Sequence, residues 1–243
     1  MSTPGYYKTN SRALSLAGMV RAVGFIRLPL AWLLFRLKPP TSTSWMPALW
    51  ADLECTKQDL STQFWQRTQL HRGEFARLGF VEVAVKKLRK ILNPMHRDNG
   101  GINYLDSSRT HFAQLMYNKV RAPAPINNDR ERITIAFTAV FETGTLSYTN
   151  NKSPFDGTPE REIVRVASDD VASMCRNFQA HVARRGEVPR SFPDDDSLRQ
   201  WFDSNQLRFF EDQVRRGVFV RMTDAEVEAA RRKLPPPLPK TRG

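Results

Sequence analysis

The first 51 residues contain no aspartate or glutamate. They do contain six basic side chains, Lys8, Arg12, Arg21, Arg27, Arg36 and Lys38. Half of the chain's formal charge of +12 therefore sits in about a fifth of its 243 residues. Cysteine is also scarce. Cys55 and Cys175 are far apart and belong to no C-x-x-C pair, so a disulfide scaffold and a cysteine zinc site are both excluded. Long apolar runs are missing as well. A spanning helix needs about 20 mostly apolar residues, whereas the charge-free stretches near the N-terminus, 13–20 and 28–35, are broken by Arg21, Arg27 and Pro29. With a mean hydropathy of -0.50, a polytopic membrane protein is excluded. A hydrophobic content of 40% in turn excludes wholesale disorder.

What is present near the N-terminus is a coincidence of basic and apolar residues. Arg21, Phe25, Arg27, Leu30, Trp32, Leu33, Phe35 and Arg36 combine the two signals that peripheral membrane binding uses, apolar insertion and attraction to anionic lipid. The arginines do not share one helical face across the whole stretch, but Pro29 lets each half turn independently. This reading places the chain at the cytoplasmic face of a membrane. A transit peptide, Arg- and Ser-rich and poor in acids, is the alternative, and would place the mature protein in an organelle matrix.

Pro39-Pro40 and the run Thr41–Ser44 form a linker signal, after which acids begin at Asp52. The expected organisation is an N-terminal segment over 1–44, outside a domain spanning 45–234, and a proline-rich tail over 235–243. An apolar stripe at Leu53, Leu60, Phe64 and Leu70 predicts a helix over 51–71. Residues 80–86 alternate as a strand. Asn99-Gly100-Gly101 reads as a turn between that strand and two more at 102–108 and 110–118. The clearest strand is 131–141, with Ile133, Ile135, Phe137, Ala139 and Phe141 on one face and Arg132, Thr134, Ala136, Thr138 and Val140 on the other. Residues 146–150 complete a hairpin.

The final third reads as helical. Ser168 or Asp169 caps a helix bearing Val171, Met174, Cys175, Phe178 and Val182, stopped by Gly186. A second helix follows Asp194–Asp196, acids well placed for the helix dipole, and carries Leu198, Trp201, Phe202, Phe209, Phe210 and Val214. Thr223 and Glu226 form a capping box for a last helix. The expected fold is α+β: a small antiparallel β-meander packed by flanking helices.

Function is less legible. His96-Arg97-Asp98 with Asn103 reproduces a kinase catalytic-loop string, but only nine residues separate it from Lys86, and no magnesium-binding D-F-G follows. His71, His96, His111 and His181 are too dispersed for a helix-borne metal pair, and no strained serine elbow exists. No metal or other cofactor is expected. Lys86, Lys87, Arg89, Lys90 and Arg97 form the densest basic cluster outside the N-terminus, a candidate contact for nucleic-acid or other phosphates. Three readings follow: a non-enzymatic domain held at a membrane surface, a nucleic-acid-binding accessory protein, or an enzyme with a dispersed site on the polar sheet face near Asp98, Asn103, Asp106 and His111.

Overall fold

The computed structural model describes residues 4–23, 43–121, 129–153 and 155–234. The strands are β1 (Gly5–Thr9), β2 (Thr43–Met46), β3 (Glu54–Cys55), β4 (Val81–Lys86), β5 (His96–Leu105), β6 (His111–Arg121), β7 (Asp129–Val140), β8 (Thr145–Thr149), β9 (Arg161–Arg165) and β10 (Phe219–Arg221). The helices are α1 (Leu16–Val23), α2 (Trp50–Leu53), α3 (Thr62–Arg77), α4 (Val171–Arg185), α5 (Asp195–Arg215) and α6 (Asp224–Arg231). Seven strands form one sheet in the order β3-β4-β5-β6-β7-β8-β9, antiparallel except for the parallel β8–β9 pair. A second sheet has the order β10-β1-β2. The architecture is α+β, with a meander wider than the sequence predicts.

The hydrophobic pattern accounts for the packing. Ile135, Phe137 and Ala139 of β7 face Phe64 and Phe75 of α3 and Val171, Met174 and Phe178 of α4, all buried in one cluster. Phe75 stacks on Tyr104 with ring centroids 4.5 Å apart. The opposite face of the sheet is covered too. Trp201 and Phe202 of α5, with Trp50 of α2, bury Ala84, Leu105, Phe112 and Val140. Burying large apolar side chains on both faces contributes about 1.5–3 kcal/mol for each. Thus the face that alternation marks as more polar is not solvated but lies beneath α5.

Local chemistry explains most helix ends. Ser61 Oγ accepts from Phe64 N at 3.0 Å and starts α3. Gly186, with φ of 69°, ends α4. Asp194 and Ser197 form a reciprocal box at the start of α5, and Thr223 with Glu226 do so for α6.

Several expectations need correction. Asn99-Gly100-Gly101 lies inside β5, not in a turn. A Cβ on Gly100 would lie 2.8 Å from Phe64 and 2.9 Å from Leu60, so the glycine is there to let α3 approach the sheet. The helix expected over 51–71 begins only at Thr62, after Ser61 caps it, and Leu70 is 80% exposed. Asp170, rather than Ser168 or Asp169, caps α4. Residues Gly5–Thr9, expected outside the domain, form the central strand of the second sheet, with Tyr7 opposite Arg221 and Ser44. Tyr7 packs edge-on against Phe210 of α5, which ties the strand to a hydrophobic cluster. The proline-rich tail over 235–243 lies outside the described residues.

Candidate functional site

The basic cluster at 86–97 does not form a free cationic surface. Lys86, proposed as an anion contact, is buried: its Nζ sits 3.7 Å from the Trp50 ring centroid and 3.4 Å from that of Phe202. As the last residue of β4 on the face beneath α5, it is covered by that helix. Burial drives its ammonium well below the ordinary lysine value, although Asp203 and Glu54 pull the other way. Lys87 Nζ donates to the Asp59 carbonyl at 2.6 Å, and Arg89 pairs with the Asp59 carboxylate at 3.2 Å. Lys90 pairs with Asp52 at 2.9 Å and lies over Trp45. Arg97 forms no ion pair among the described residues.

Of the proposed membrane contacts, Arg21 is described, and it turns inward. It is bound to the Asp156 carboxylate and donates to the Ser153 carbonyl at 3.2 Å. Phe25, Arg27, Leu30, Trp32, Leu33, Phe35 and Arg36 lie outside the described residues.

The four residues suggested for a dispersed catalytic site are not brought together. Asp98 accepts from Ser61 at the start of α3. Asn103 pairs with Gln114 on the face beneath α5, whereas His111 packs edge-on against Phe178 of α4 on the other face. Asp106 and His111 instead staple the β5–β6 hairpin: His111 Nδ1 lies 2.9 Å from the carboxylate, which also accepts from Ser108 and from the Thr110 and His111 backbone amides. Burial raises the Asp106 carboxyl, but its bonds to His111 and Ser108 outweigh this and hold it well below the usual carboxylate range. Cys175 is nearby on α4, but burial pushes its thiol up, the opposite of an activated nucleophile. Among the described residues no group of three or more histidine, cysteine, aspartate or glutamate side chains is placed to hold a metal ion.

What the sheet does assemble is a stripe of buried polar side chains. Register places Asn103, Gln114, Ala136, Thr149 and Arg165 side by side across β5 to β9. The adjacent row runs from Thr138 to Ser147 and Ile163, and Arg161 begins β9 on the same face. Asn103, Thr134, Thr138, Ser147 and Thr149 are all buried there. A cavity of about 400 Å³ opens over this stripe. Gln114, Thr134, Ser147 and Thr149 form its floor, and Gln206 and Phe209 of α5 are on the opposite wall.

Two arginines line the same cavity. Arg161 donates from Nε and Nη2 to Ser147 Oγ at 3.2 and 3.1 Å, and Ser147 Oγ lies 3.3 Å from Thr138 Oγ1. Arg165 donates from Nη2 to the Phe155 carbonyl at 3.1 Å, while its Nε is buried without a partner. Burial, reinforced by the charge of Arg165, lowers the Arg161 guanidinium below its ordinary value. The cavity's carboxylate, Asp156, is already engaged by Arg21 and by Arg216 at 2.8 Å.

Sequence reasoning passes over Arg161 and Arg165. The signal is in the chain: Arg161, Ile163 and Arg165 alternate with Glu162 and Val164. A five-residue strand flanked by turns shows this only weakly, and its parallel partner is set by tertiary structure.

No family model, curated protein or solved structure matches the chain.

Proposed function

We propose that the chain is a binding domain that takes a small molecule in the cavity between the polar face of the seven-stranded sheet and α5. One observation carries this reading: a row of buried threonine and serine and half-buried glutamine and arginine side chains facing an open volume instead of packed atoms. Polar groups on a buried face are costly unless they find partners. The volume falls within the range of about 300–1,000 Å³ typical of small-molecule sites, and the polar groups that line it share the wall with apolar Met46, Met116, Phe155 and Phe209.

The test is a small-molecule panel read by thermal shift, run in parallel on wild type and on Ala136→Trp, which fills the cavity from its floor. Compounds that raise the melting temperature of wild type but not of the folded variant support the reading. A panel in which the two proteins respond alike overturns it.

A second reading concerns where the domain works. The acid-free stretch over residues 1–51, together with exposed Leu16 and Ala17 at the start of α1, favours association of the N-terminal segment with an anionic membrane surface. Among the described residues no helix is long and apolar enough to cross a membrane. Flotation with anionic liposomes tests the idea; equal binding by full-length protein and by a variant with Arg27 and Arg36 changed to Glu would count against it.

A further inference from the structure

We propose that the ligand of this cavity is an amphipathic organic anion, its oxyanion head bound by Arg161 and Arg165 and its apolar body seated against Met46, Met116, Phe155 and Phe209. This rests on the cavity reading and deepens it by assigning a chemical class.

The argument starts from charge. Every aspartate and glutamate of the chain lies within the described residues, yet neither Arg161 nor Arg165 forms an ion pair. Other partly buried arginines do so: Arg21 and Arg216 share Asp156, Arg185 holds Glu162 and Glu187, and Arg109 meets Asp195. A guanidinium removed from water needs a compensating negative charge or a full set of acceptors. Arg161 has one neutral acceptor, the Ser147 hydroxyl, and Arg165 has one carbonyl. Each therefore retains N–H donors, which Arg presents in the planar fork suited to carboxylate and phosphate.

The local field points the same way. Asp156 lies at the cavity edge, but Ser15, Arg21 and Arg216 hold it. The neighbouring Asp212 is bound by Arg215 and Arg216. Asp156 also acts on Arg165 from a distance, but its carboxylate is bound by Arg21 and Arg216, so an incoming anion meets Arg161 with no carboxylate acting on it and Arg165 only partly compensated.

The apolar body follows from the remaining wall. Met46 enters from β2, Met116 from β6, Phe155 from the loop before β9 and Phe209 from α5. Methionines and aromatic rings together form an adaptable apolar surface. Ile163, between the two arginines on β9, interrupts the charged row, so a purely polar dianion would leave this wall unfilled.

The test uses the full chain and three eight-carbon probes, octanoate, octyl phosphate and octanamide, with binding followed by calorimetry. Octanoate or octyl phosphate is expected to bind, with octanamide tenfold weaker or worse, and whichever anion binds tighter identifies the head. Arg161→Gln, which keeps a hydrogen-bond donor near Ser147 but removes the charge, is expected to weaken the anion tenfold or more while leaving octanamide unchanged. Octanamide binding as well as both anions overturns the anionic class and leaves the cavity reading standing. Acetate and inorganic phosphate binding as tightly as the eight-carbon anions overturns the apolar body alone. If no probe binds, the anionic class fails, and if in addition no compound of the thermal-shift panel distinguishes wild type from Ala136→Trp, the cavity reading fails with it. Should Arg161→Gln not fold, the comparison of octanoate with octanamide on wild type decides the matter by itself.

Discussion

Lys86 Nζ lies 3.7 Å from the ring centroid of Trp50, with no hydrogen-bond acceptor beside it. A desolvated ammonium between two aromatic faces gains about 2 kcal/mol or more from the rings. Removing it from water costs several kcal/mol. The cost is the larger, and the lysine value falls below its ordinary 10.5. Below its folded-state value the lysine therefore weakens folding, and this penalty fades as pH rises toward 10.5. Lys86→Met is expected to be at least as stable as wild type at neutral pH. Wild type should then gain on the variant as pH is raised to about 10. Urea unfolding of both proteins across that range checks it, and parallel curves would refute it.

Gly100 marks the close approach of α3 to the sheet. A methyl group there meets Phe64 and Leu60 at distances that real side chains avoid. Phe64 is fully buried and cannot swing away. Gly100→Ala is expected to lower stability by about 1–3 kcal/mol, in line with overpacking elsewhere. The measurement is the urea midpoint at unchanged m-value. A neutral result would mean that α3 shifts freely on the sheet.

Asp106 closes the β5–β6 hairpin through a set of bonds to its carboxylate. Asp106→Ala removes both oxygens, leaving the Thr110 and His111 amides as well as Ser108 and His111 Nδ1 without this acceptor, and is expected to cost about 1–3 kcal/mol. Slow amide exchange at residues 110 and 111 in wild type should become fast in the variant.

Asp156 joins α1 to the C-terminal end of α5. Burial raises its carboxyl, yet Ser15, Arg21 and Arg216 together bring it from 3.8 to about 2. Because the folded value is depressed, this contribution is fully present above the unfolded value of 3.8 and is lost as pH falls toward 2. Asp156→Asn should therefore lower stability at neutral pH, by about 1 kcal/mol given the partial exposure of the pairs. It should also flatten the pH dependence between 4 and 2, which acid titration of the circular dichroism signal reports.

Several elements were legible because their signals are local. The alternation of Ile135, Phe137 and Ala139 marks β7 and its buried face. The spacing of Val171, Met174, Cys175 and Phe178 marks α4, and Gly186 marks its end. Asp194 and Thr223 announce helix starts through hydrogen bonds to residues three positions on. Other features were not legible, since they depend on residues distant in the chain. Asn99-Gly100-Gly101 has turn composition, but packing against Leu60 and Phe64 makes it strand. Lys86 belongs by composition to a basic run, and what encloses it is Trp50 of α2 together with Phe202 of α5, more than a hundred residues later. Arg161 and Arg165 look like ordinary surface residues until β9 pairs with β8 and α5 covers the face they share.

By itself, then, the sequence determined the α+β class, the principal strands and helices, and the uneven distribution of charge, because periodicity, capping and composition act over a few residues. Tertiary structure alone decided which cations are neutralised and which are not. Asp59 and Asp52 engage Arg89 and Lys90, Asp156 at the cavity edge engages Arg21 and Arg216, and Arg161 and Arg165 line that cavity without an ion pair of their own. Charge compensation depends on distances across the fold, and a linear chain does not carry those distances.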